Sequence, residues 1–216
     1  MAVTHQHHAD MDPAARSVLL RSGLRLEIFS LVWNVVETVV GLVAGLAAGS
    51  VALVGFALDS VVESTSASIL VWRLRSEGRG DWTAESVERR AIRLVALAFF
   101  ALALYVGAKS AFDLVTQHKP DESPTGIVLA IVSLIIMPVL ANKKRRMAKA
   151  LDSKALKADA SQTSLCTYIS AFLLVGLGAN ALFGWWWADP AAGLVIAALA
   201  AREGRHLWIT EDFCCP

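Results

Sequence analysis

The run from Val51 to Trp72 is long and apolar enough to cross a bilayer as a helix, yet it carries two acids, Asp59 and Glu63. Two carboxylates at membrane depth are costly and need a cation, a proton or a water-filled cavity beside them. They stand four residues apart, so on a helix they share one face. A matching pattern lies a hundred residues on, in Ala158-Asp-Ala-Ser-Gln-Thr-Ser-Leu-Cys166, where Gln162 and Cys166 are also four apart on a predicted helix. Two helices that each present a four-spaced donor pair are able to surround one metal ion. The alternative is a polar contact between packed helices. The presence of both pairs favours the metal.

The remainder of the chain has to accommodate such a site. It is 216 residues long and 56% hydrophobic, with a mean hydropathy of +0.53. Composition and periodicity predict an all-α integral membrane protein with six spans. These are Leu24–Ala48, Val51–Trp72, Ala91–Val115, Gly126–Ala141, Asp159–Phe183 and Pro190–Trp208. The expected layout is a polar tail over 1–23, a six-helix transmembrane domain over 24–208 and a short tail over 209–216. Met1 to Arg16 has no apolar core, so no cleavable signal peptide is expected there. Roughly eighteen of the 20 Lys and Arg fall on one side of a six-span topology. That side is expected to be the cytoplasm, with both termini in it and the bundle in the cell's inner (plasma) membrane.

Other polar residues have assignable roles. Asn34 and Glu37 are deep in the first span and three apart, pointing into the bundle as candidates for the ion path or proton coupling. Asp159 is a third candidate for that role. Glu27 is near the start of its span, where it is expected to reach the interface. Gly41, Gly45 and Gly49 recur every fourth position and let a second helix approach closely. Lys109 and Asp113 are four apart and expected to pair. Pro138 is expected to kink or end the fourth span. The basic stretch Asn142-Lys-Lys-Arg-Arg146 and a surface helix over Met147–Ala158 follow it. The three cysteines form no disulfide framework, and Cys214 and Cys215 are expected to be reduced cytoplasmic thiols. His5, His7 and His8 form a polar cluster that fits either loose metal binding or a solvated tail.

The motifs Gly49-Ser50-Val-Ala-Leu leading to Asp59-Ser-Val-Val-Glu63, Ala158-Asp159-Ala160 before a four-spaced pair, and Ala188-Asp189-Pro190 resemble the transmembrane part of the cation diffusion facilitator (cation efflux) family. The resemblance covers most of the chain. It implies a six-helix bundle with cytoplasmic termini, a two-fold homodimer, and exchange of a divalent ion, usually zinc, for protons. The sequence departs from the family in its second-helix pair, usually His or Asp with Asp and here Asp59 with Glu63. Its fifth-helix pair is usually His with Asp, and here it is Gln162 with Cys166. The chain stops soon after Trp208, so the family's C-terminal metal-binding domain is expected to be absent.

The proposed ligand set is Asp59, Glu63, Gln162 and Cys166. A thiolate argues against magnesium and calcium and suits zinc or cadmium. Buried acids and a buried thiol hold protons until an arriving metal displaces them, which yields metal/proton antiport. The metal is then substrate, and no cofactor is required. The expected partners are the bilayer, the ion, protons and a second copy, with no nucleic acid. An enzyme is not expected, because no nucleophile with a nearby base and no HExxH motif appears. Two other functions remain open, a membrane metal sensor or accessory subunit that transports nothing, and a proton-coupled permease for a small solute.

Overall fold

A computed structural model of the chain describes residues 13–77, 84–151 and 154–210. The described residues form six helices, α1 (Pro13–Ala48), α2 (Val51–Glu77), α3 (Ala84–Thr116), α4 (Pro124–Leu151), α5 (Lys154–Phe183) and α6 (Ala188–Thr210). The chain is an all-α membrane bundle. Five of its helices are long and apolar enough to span a bilayer by length and composition, and α6 falls outside that group. Arg202, Glu203 and Arg205 interrupt its apolar run, yet α6 packs along α3 and against α5 and α2.

Helix α1 is built inside out relative to a helix of a water-soluble bundle. On α1 the polar and small residues Glu27, Ser30, Asn34, Glu37, Gly41 and Gly45 are buried, while Val32, Val35, Val39, Val43 and Leu46 are exposed. Lipid tails are as apolar as leucine, so burying these side chains would gain nothing. Contact between helices comes instead from close packing and hydrogen bonds. The α1/α2 seam shows this. A Cβ on Gly41 would meet the Ala57 Cβ at 2.9 Å, and one on Gly45 would meet Val54 Cγ2 at 2.9 Å and Val54 N at 3.0 Å. Backbone cannot yield as a side chain does, so Gly45→Ala should destabilise by about 1–3 kcal/mol. Gly178 has nothing within 4 Å of its would-be Cβ. Thermal unfolding of both alanine variants checks this, and equal melting of the two would contradict the packing account.

Three short links lie together at one end of the bundle. Gly49, at φ +65°, turns the chain from α1 into α2. The Ser50 hydroxyl caps α2 by accepting the Leu53 N–H at 3.1 Å and donates to Asp189 at 2.5 Å. Asp121 N–H donates to Ala48 O at 2.8 Å, and Asn180 Nδ2 donates to Pro120 O at 3.1 Å. The starts of α1 and α5 and the end of α4 lie at the opposite, terminal end.

The fourth span differs from the sequence expectation. Pro138 does not end it, and α4 runs on through the basic stretch to Leu151. Met147–Leu151 therefore belongs to α4 and Lys154–Ala158 to α5, rather than to a separate surface helix. The reason lies in the inward stripe. Leu129, Ser133, Met137, Leu140, Lys144 and Ala148 are all buried at helical spacing, so packing carries α4 past the missing N–H of the proline. On α3 the expected pair is made, with Lys109 bonded to Asp113.

Candidate metal centre

Helices α2 and α5 face one another in the middle of the bundle and carry the two four-spaced pairs. Asp59 and Glu63 are buried on α2, and Gln162 and Cys166 are buried on α5. Thr163 Oγ1 donates to Glu63 Oε1 at 2.8 Å, which joins the helices directly. Cys166 lies beside the Glu63 carboxylate. Glu63 Oε2 and both amide atoms of Gln162 are buried without a hydrogen-bond partner. Such atoms are rare in native structures and call for an explanation. Among the described residues no three His, Cys, Asp or Glu side chains are drawn close enough to close round an ion. The donors are arrayed across the α2/α5 interface, with Glu63 and Cys166 in contact and Asp59 one turn along α2.

Asn34 and Glu37 both point into the bundle, as their spacing predicts. Glu37 is fully engaged. Its Oε1 accepts from Trp33 Nε1 at 2.6 Å and from the Ser133 hydroxyl, and its Oε2 accepts from Ser60 Oγ at 3.0 Å. Ser170 Oγ donates to Ser133 Oγ at 3.1 Å, so this acid ties α1, α2, α4 and α5 together. Asn34 differs, with both amide atoms buried and unpartnered.

Towards the terminal end lies a buried ionic cluster. Lys144 of α4, fully buried, is bonded to Asp159 of α5 and lies 3.2 Å from Glu27 of α1. It also donates to Ser30 Oγ at 3.0 Å and to Thr163 Oγ1 at 3.2 Å. Glu27 does not reach an interface, because it is wholly buried against this lysine. By sequence alone Lys144 groups with its basic neighbours Lys143, Arg145 and Arg146 and gives no local sign of this role. Its place seven residues after Met137 on one helical stripe was the available signal, legible only if α4 continues past Pro138. Asp159, the third candidate for the ion path or proton coupling, is part of this cluster.

The profile of the cation efflux transmembrane domain matches residues 28–210. The chain belongs to the cation efflux family. It is 28% identical over 163 residues to an uncharacterized transporter of Synechocystis sp., a match covering 73% of this chain and 53% of that protein. It is 24% identical over 108 residues to the cation-efflux pump FieF of Shewanella oneidensis, covering 50% of this chain and 35% of that protein. The chain thus spans about half or less of the length of these relatives.

Within this cation efflux domain, Asp189 anchors the start of α2. Its carboxylate accepts from Ser50 Oγ and, at 3.0 Å, from Val51 N–H at the N-terminus of α2. Orphan N–H groups and the helix dipole favour an anion there. Asp189 therefore ties the start of the helix that carries Asp59 and Glu63 to α6. His5, His7, His8, Cys214 and Cys215 lie outside the described residues.

Proposed function

We propose that this protein is a cation efflux transporter that moves a divalent transition metal, zinc first, out of the cytoplasm in exchange for protons. The observation that carries this reading is the meeting of the two donor pairs across α2 and α5, with Glu63 Oε2 and the Gln162 amide buried and unpartnered. A cation would supply what those oxygens lack. Asp59 and Glu63 together offset a double positive charge, and Cys166 adds a soft sulfur that suits zinc and cadmium over magnesium and calcium. Gln162 is a weak neutral ligand, so affinity is modest and release on the far side is easy. Ligands must shed their protons to bind, so metal and protons occupy the site alternately. The basic residues gather at the terminal end, which supports placing it in the cytoplasm and the bundle in the plasma membrane. The family resemblance supports a homodimer, and native mass spectrometry in lipid that found only monomer would oppose it.

Proteoliposomes test the reading. A zinc gradient should drive counter-movement of protons, and Cys166→Ser should weaken cadmium binding more than manganese binding, since cadmium depends most on sulfur. Zinc binding without flux would favour a sensor or accessory subunit. Flux of a small solute indifferent to chelators would favour a permease. Equal losses for all metals in Cys166→Ser would leave the thiol as packing alone.

A further inference from the structure

We propose that Lys144 and Thr163 are positioning residues for the metal site, with the buried ammonium orienting the Thr163 hydroxyl so that it pins one oxygen of Glu63 and leaves the other to the metal. This rests on the reading of Asp59, Glu63, Gln162 and Cys166 as metal donors. A helical threonine ordinarily donates to the carbonyl four residues back. Thr163 Oγ1 has that option in Asp159 O at 3.1 Å, but it also has Glu63 Oε1 at 2.8 Å. The hydroxyl has one proton for two acceptors. The Lys144 ammonium, 3.2 Å away, occupies a lone pair of the same oxygen, so the proton points away from the lysine. A carboxylate is the stronger acceptor, and a hydroxyl polarised by an ammonium is the stronger donor.

Lys144 is itself held from two other helices. Glu27 and Ser30 on α1 and Asp159 and Thr163 on α5 surround an ammonium carried by α4. The cluster is thus a fixed charge joined to the metal site through a single hydroxyl. Its effect on Glu63 is directional. Oε1 is engaged and Oε2 is not, which presents the carboxylate to an ion through one oxygen.

Thr163→Val probes this effect, because it keeps the side-chain shape and the ion pairs of Lys144 with Glu27 and Asp159 and removes the hydroxyl that bridges to Glu63. Zinc titration of the purified protein in lipid nanodiscs should show affinity weakened roughly tenfold or more, with Thr163→Ser binding like the wild type. Lys144 is tested in a neutralised cluster, Glu27→Gln with Asp159→Asn and Lys144→Met, which strands no charge. Affinity should fall there by a similar factor, and adding Thr163→Val should cost nothing further. Wild-type affinity in Thr163→Val would overturn the proposal, as would additive losses. A wild-type protein that bound no zinc would instead overturn the metal reading itself.

Discussion

Asp59→Ala should take the purified protein from about one bound zinc per chain to almost none, with affinity lowered about 100-fold or more. Asp59 is buried, and the charged groups close to it are Glu63, Glu37 and Glu203, all acids. A carboxylate among acids in a membrane interior attracts a cation and adds little to the fold. Its removal strands no counter-charge, and the variant should melt no lower than the wild type. Glu37→Gln is the comparison. Glu37 already accepts from Trp33, Ser60 and Ser133, so its loss should slow transport more than it weakens binding. Metal analysis and zinc titration of both variants decide the matter. Full zinc occupancy in Asp59→Ala, or none in Glu37→Gln with the fold intact, would mean that the ligand set is wrong.

Lys144→Met should be the most destabilising single change in the bundle, at about 3–5 kcal/mol. The variant leaves Glu27 and Asp159 facing each other in a dry interior with no counter-charge. The cost comes from stranding those carboxylates, not from losing a lysine as such. The neutralised triple variant Glu27→Gln, Asp159→Asn, Lys144→Met should accordingly regain most of the stability, since a buried ion cluster replaced as a whole is often tolerated. Unfolding midpoints measured in one detergent provide the comparison. A Lys144→Met protein as stable as the wild type would show that the lysine is solvated and the cluster does not form. A triple variant as unstable as the single one would show that shape, not charge, sets the cost.

The sequence by itself determined what lies along each helix. Apolar length located five of the six expected spans, and α5 is apolar over the expected Asp159–Phe183. Four-residue spacing put Asp59 with Glu63 and Gln162 with Cys166, and glycine periodicity marked the α1/α2 seam that Ala57 and Val54 close. These are local properties, fixed by 3.6 residues per turn. Tertiary structure decided which face meets which. Lys144 looks like a cytoplasmic lysine beside Lys143, Arg145 and Arg146, and nothing local distinguishes it. Its partners are 15 residues away at Asp159 and 114 away at Ser30. Whether a charge is solvated or buried depends on the groups other helices bring to it, and only the packed bundle brings Glu27 and Asp159 to this one. The same holds for Glu27, an apparent interface acid by position, which becomes a core residue once α4 continues past Pro138 and carries Lys144 to it.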